Sequence, residues 1–187
     1  PREFLLGDFA TASSQTGRVF AFYSCTVNRS NMAANRGRIR HSNLCTEIQQ
    51  PNRPKAETAV CSISTVNMLT GLFWKDPDTA GIPNYKKIPV ESPMRNYTMD
   101  DPRVGFSYDV IRKVTRAAVN DLNRVIDISA APTTASYWGT VLNRSMGLGF
   151  NGFYDLFVRM GYQIDSEAAI EFGRNCVIWM LYAAIDE

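Results

Sequence analysis

The chain has 187 residues, enough for one domain with a real core, and its 45% hydrophobic, 20% charged and 11% aromatic composition is that of a globular protein. A formal net charge of +2 with no basic run argues against nucleic acid as a partner, and no apolar stretch approaches the roughly 20 residues that cross a bilayer. Four scattered cysteines without a C-x-x-C pair, and a single histidine, argue against a zinc site and against a secreted disulfide framework. A reduced, cytoplasmic setting is therefore expected, in which an important cysteine is catalytic rather than structural. The opening PREFLLGDFA is too short and too acidic for a signal peptide. With no initiating Met, the chain is expected to be a processed product or an excised piece.

In chain order, Arg18–Tyr23 (RVFAFY) is a β-rich run after the turn-like SSQTG and predicts a strand. A polar, Asn- and Arg-rich loop leads to HSNLCTEI at 41–48, predicted to be extended. After the breaker QQPNRPK, the alternation of Thr58–Met68 predicts another strand. Residues 76–102 hold five of the nine prolines and read as a long ordered loop or insertion. From about Ser107 to Ile128, apolar residues recur at three and four (Ile111, Val114, Ala118, Leu122, Val125), which predicts an amphipathic helix. SMGLGF is a small-residue strand candidate. Ser166 is the expected N-cap of a final helix with its stripe at Ile170, Val177, Leu181 and Ala184. That helix has no Gly or Pro stop and runs into Asp186-Glu187, where the helix dipole favours cations instead.

Several motifs invite chemistry. GLGFNG satisfies G-x-G-x-x-G with Gly147, Gly149 and Gly152, but SYWGTVLNRS before it is not β-rich, so close packing of strand on helix is the better reading. APTTAS at 131–136 could cradle an anion; a plain loop is favoured. Cys25 and Cys176 read as structural thiols, and His41 as a solvated or hydrogen-bonded side chain. The strongest constellation is NLCTEI. In an extended segment Asn43, Cys45 and Glu47 share one face, about 6–7 Å apart, while Leu44 and Ile48 anchor the other face in the core. An amide that holds a hydroxyl, a thiol that reacts and a carboxylate that moves a proton make a credible set for a sugar ring. Cys45 lacks basic neighbours, so it is not expected to act as a thiolate.

SNLCTEI resembles the active-site segment of the catalytic subunit of class I ribonucleotide reductase, and the order QTGRVFAFY, TVNRSN, GRIRHSNLCTEI is also similar to that family. AVCSISTVNM resembles the strand with one of its redox cysteines, AAVNDLNRVIDIS the helix that follows, and RSMGLGFNGFYDLFVRMGY its Gly-rich strand and next helix. The resemblance runs from about residue 10 to the end, with a longer Pro-rich stretch at 76–102. Leu44 after Asn43 favours class I over the cobalamin-dependent relatives, which usually carry Pro there.

The resemblance implies a fold and roles. The fold is α/β: a partial piece of a ten-stranded α/β barrel with the radical cysteine on an inner loop, here one domain over 1–187. Such a piece exposes strand edges and apolar surface, and is expected to need companion segments or self-association. Cys45 would become the thiyl radical that takes the 3′-hydrogen of a ribonucleotide. Glu47 would take the 3′-hydroxyl proton, and Asn43 would bond the substrate hydroxyls. Cys61 would be one of two thiols oxidised to a disulfide as the 2′-hydroxyl leaves as water, its partner lying upstream of residue 1. No dinucleotide is implied at 147–152, and the family's Thr/Ser phosphate turn would lie beyond residue 187.

The implied partners are a ribonucleoside diphosphate, the remaining large-subunit segments, a radical-generating small subunit that holds the metal, and thioredoxin or glutaredoxin as reductant. No cofactor, membrane or nucleic acid is expected on this chain, and alone it is expected to be inactive. Two other readings stay open: a non-catalytic assembly chain that kept the barrel motif, and a nucleotide-dependent oxidoreductase built on GLGFNG.

Overall fold

The computed structural model describes residues 2–53, 56–74 and 104–187; the Pro-rich stretch expected at 76–102 lies outside them. In chain order the described α-helices and β-strands are α1 (Ala10–Thr16), α2 (Ser24–Arg29), β1 (Ser62–Asn67), β2 (Leu72–Trp74), β3 (Val104–Phe106), α3 (Tyr108–Ile128), α4 (Thr134–Asn143), β4 (Met146–Asn151), α5 (Phe153–Met160) and α6 (Glu167–Asp186). They fall into two compact units, 1–61 with 129–145 and 62–128 with 146–187.

The first unit is loop-rich, and side chains organise its loops. The Asn28 amide clamps Ile39 from both sides, donating to its carbonyl at 2.8 Å and accepting its N–H at 2.9 Å. Ile39 is thereby held fully buried. Glu57, also buried, receives Arg36 at 3.3 Å, Arg53 at 3.4 Å and the Asn143 amide at 3.4 Å. A buried carboxylate is tolerated only with such partners. The Thr58 N–H donates to the Ala135 carbonyl at 3.0 Å, and the Thr58 carbonyl lies where a Cβ on Gly139 would sit, so α4 approaches this strand-like segment only through a glycine.

Three expectations change in this unit. Arg18–Tyr23 forms no strand; the run is irregular, with Phe20 and Tyr23 exposed, because a β-rich sequence without a paired neighbour has nothing to bond. The strand expected from Thr58 begins at Ser62. APTTAS is more than a loop: Thr133 caps α4, accepting the Ser136 N–H while the Ser136 hydroxyl accepts the Thr133 N–H. This reciprocal capping box satisfies two N–H groups that would otherwise be orphaned.

In the second unit β1 and β4 pair in parallel, from Ser62 with Met146 to Asn67 with Asn151, and β2 pairs antiparallel with β3. Helix α3 packs against β1 and α6. Val66, Met68, Ile111, Leu156, Phe172 and Cys176 form the centre of the core, and burying each large apolar side chain contributes roughly 1.5–3 kcal/mol.

The SMGLGF strand is β4, and both expected helices exist, but their faces shift. In α3 the buried stripe is Ile111, Thr115, Val119, Leu122 and Ile126, leaving Val125 exposed and Val114 and Ala118 half-buried. In α6 the Ser166 hydroxyl accepts the Ala169 N–H, the expected cap. The buried stripe is nevertheless Ala169, Phe172, Cys176, Met180 and Ala183, and the predicted residues Ile170, Val177 and Leu181 are exposed. This helix carries apolar residues on both faces, so periodicity alone could not choose between them. For the same reason α6, contrary to the sequence expectation, is long and apolar enough to cross a membrane by length and composition, and only the one stripe of it is buried in the second unit.

Candidate active site

The segment 41–48 is not extended. The Thr46 N–H donates to the Asn43 carbonyl at 3.2 Å and closes a turn over 43–46, with Thr46 itself in the left-handed region at φ 68. Leu44 is 75% exposed rather than anchored in the core, and Ile48 is half-buried. Asparagine at the first position of a turn is a sequence signal for this conformation, and the alternation of apolar and polar residues masked it.

The turn brings two of the expected groups together and displays the third. The Asn43 amide N–H donates to a Glu47 carboxylate oxygen, and its carbonyl oxygen accepts the Ile48 N–H at 3.1 Å. The Ser42 hydroxyl donates to the Ile48 carbonyl at 2.6 Å, closing the base of the turn. Cys45, between Asn43 and Glu47 in sequence, is exposed. A hydrogen-bonded carboxylate is chemically able to accept a proton from a hydroxyl, and an exposed thiol two residues before it in the chain is open to solvent.

Cys61, half-buried in the same unit, has its thiol pKa raised, first by burial and then by the negative charge of Glu47. Both effects disfavour the thiolate, so Cys61 is held as a protonated thiol that feels the Glu47 carboxylate. Cys176 behaves differently: it is fully buried in the second unit and pushed up to about 12 by desolvation, an inert core thiol as the sequence suggested. Cys25 is exposed instead. The ring nitrogen Nε2 of His41 lies 3.2 Å from the Asn52 amide on the surface, in keeping with a hydrogen-bonded rather than a catalytic side chain.

The glycine motif has a mechanical explanation. Gly152 sits at φ 78 between β4 and α5, and a Cβ there would come within 2.5 Å of the Asn67 Oδ1. The residues before the motif form helix α4, not the β-strand that a dinucleotide fingerprint follows. The Arg36–Glu57–Asn143 network escaped the sequence reading because its members are 21 and 86 residues apart and carry no shared motif.

The family model described as "Ribonucleotide reductase, barrel domain" matches residues 2–187. The chain belongs to this family. It is 26% identical over 183 residues to the ribonucleoside-diphosphate reductase large subunit of Arabidopsis thaliana, covering 95% of this chain and 21% of that protein. It is 30% identical over 172 residues to the large chain of Schizosaccharomyces pombe, covering 92% of this chain and 18% of that protein. With the large subunit of Gallid herpesvirus 2 it shares 28% identity over 185 residues, 98% of this chain and 19% of that protein. The chain thus spans about a fifth of the length of these relatives, and the resemblance to the class I catalytic subunit holds. As a barrel-domain chain it is an α/β piece: among the described residues the strands form two two-stranded sheets, not a closed barrel.

Proposed function

We propose that this chain carries the reducing centre of a class I ribonucleotide reductase large subunit and converts a ribonucleoside diphosphate to its deoxy form when the rest of the enzyme is present. What supports the reading most is the 43–47 turn, in which the Asn43 amide bonds the Glu47 carboxylate while Cys45, between them in sequence, is exposed. Family membership supplies the reaction class.

In this mechanism Cys45, as a thiyl radical, takes the 3′-hydrogen atom, and Glu47 accepts the 3′-hydroxyl proton while Asn43 orients the hydroxyls. The 2′-hydroxyl leaves as water. Cys61 and a second thiol from the remaining large-subunit segments supply two electrons and become a disulfide, and the 3′-hydrogen returns from Cys45, regenerating its thiyl. The balance is ribonucleotide plus dithiol to deoxyribonucleotide, water and disulfide. A protonated Cys61 fits this role, since it must deliver hydrogen rather than attack as a thiolate. Thioredoxin or glutaredoxin reopens the disulfide by exchange. A metal-containing small subunit generates the radical, so this chain needs no cofactor of its own.

The remaining segments complete the ten-stranded barrel of which 1–187 is a part, and the reaction is cytoplasmic. The test is a reductase assay in which this chain is combined with the missing segments and the small subunit. Cys45→Ala is expected to abolish deoxynucleotide formation, and Glu47→Gln to lower it by about 100-fold or more, the usual share of an acid–base group. Turnover that survives Cys45→Ala removes the reading, and a wild-type chain inactive with every companion supports a non-catalytic assembly role.

A further inference from the structure

Asn43, Cys45 and Glu47 are all exposed, whereas Ser42, Thr46 and Ile48 among them are half-buried. An exposed glutamate has several rotamers open to it, and ordering such a side chain is entropically costly. With little packing around it, Glu47 takes its place from the backbone on either side.

On the C-terminal side, both backbone polar groups of Ile48 are engaged by side chains. Its N–H donates to Asn43 Oδ1 at 3.1 Å, and its carbonyl accepts the Ser42 hydroxyl at 2.6 Å. Ser42 Oγ also lies 3.1 Å from Asn43 Oδ1, but a serine hydroxyl has a single proton, and the shorter contact to the carbonyl takes it. On the N-terminal side, Thr46 donates its N–H to the Asn43 carbonyl at 3.2 Å and stays in the left-handed region at φ 68, unfavourable for a β-branched residue. A turn under such strain opens unless its two ends are tied.

The two side chains that tie it differ in what the proposed reaction asks of them. Asn43 must offer its amide to the substrate hydroxyls, which competes with its bond to Glu47. The Ser42 bond runs from side chain to backbone and is left intact by that exchange.

We propose that Ser42 is a positioning residue for the reduction: its hydroxyl, bonded to the Ile48 carbonyl, holds the backbone that carries Glu47 while Asn43 turns to the substrate. Ser42 touches no substrate and moves no proton; it acts through Glu47. The inference rests on the reductase reading for the reaction and adds a residue to it.

Two measurements test it on Ser42→Ala and on Ser42→Thr, which keeps the hydroxyl. In the 187-residue chain, the NMR signals of the Asn43 side-chain amide report its bond to Glu47. They should move in Ser42→Ala toward their positions in Glu47→Ala and stay near wild type in Ser42→Thr, with the Leu122 amide signal unchanged throughout. In the enzyme assembled with the missing segments and the small subunit, turnover of cytidine diphosphate is followed. Ser42→Ala should lower kcat about tenfold, the loss of one hydrogen bond, with KM within about twofold of wild type and Ser42→Thr restoring the rate. On a Glu47→Gln background Ser42→Ala should cost nothing further, since residues that act as a unit are not additive. A residue that merely stabilises the fold would cost the same in both backgrounds.

Should Ser42→Ala not fold, Ser42→Cys, close in size with a weakly donating thiol, takes its place. Asn43 signals unmoved by loss of the hydroxyl, or an undiminished loss on the Glu47→Gln background, would each overturn the proposal. Turnover that survives Cys45→Ala, or none in the wild-type assembly, counts against the reductase reading instead, and the NMR comparison then decides whether Ser42 holds Glu47.

Discussion

Thr46 holds its backbone at φ 68, a region that β-branched residues occupy at a cost of roughly 1–3 kcal/mol. The bonds that offset it are local: Thr46 to Asn43, Asn43 to Glu47 and Ile48, and Ser42 to Ile48. Asn43 is thus a structural member of the turn as well as a candidate substrate contact, and its loss would be expected to affect both. The coupling between Glu47 and Cys61 can be read directly. Peptide-resolved alkylation with iodoacetamide across pH should place the Cys61 midpoint above the ordinary cysteine value, because burial and the Glu47 charge both hold the proton on. Glu47→Gln removes the smaller cause only, so the midpoint should fall part of the way back. A midpoint that does not move would dissolve the electrostatic link between these two residues.

At the scale of elements, the shifted faces of the helices make opposite predictions for neighbouring positions. Leu122→Ala in α3 should destabilise by about 2–5 kcal/mol, as for a buried leucine, whereas Val125→Ala should fall within about 0.5 kcal/mol of wild type. Chemical denaturation of the two variants checks the face assignment; equal losses would restore the periodicity reading. What was legible in the sequence at this scale was local. The Ser166 cap, the long helix from Tyr108 and the Gly-rich strand each depend on residues within a few positions of one another. The misreadings required distant information. Arg18–Tyr23 needed a pairing strand, and α6 needed to know which of its two apolar faces meets Ile111 and Phe157. The site divides the same way: its residue types were legible in NLCTEI, but the turn that joins Asn43 to Glu47 was not, because alternation is shared by strands and by turns with one exposed apolar residue.

At the scale of the whole chain, the sequence of the first unit is interrupted: residues 62–128, which belong to the second unit, separate 1–61 from 129–145. Neither unit is a continuous stretch. Limited proteolysis of chains halted at defined lengths should therefore show the 1–61 segment cleaved as unfolded until α4 is available, and protected afterwards. Protection of 1–61 in a chain that stops at 128 would contradict this dependence.

The Glu57 network gives that interruption a clock. Glu57 is made early, but Asn143 and the Ala135 carbonyl that receives Thr58 are added only after roughly 80 further residues. At roughly 5–20 residues per second, a ribosome leaves Glu57 and Thr58 waiting for about 4–16 seconds before these partners exist. During that interval the loops around Glu57 and Thr58 lack the bonds that later join them to α4, so the newborn chain is more open to capture by chaperones than the finished one.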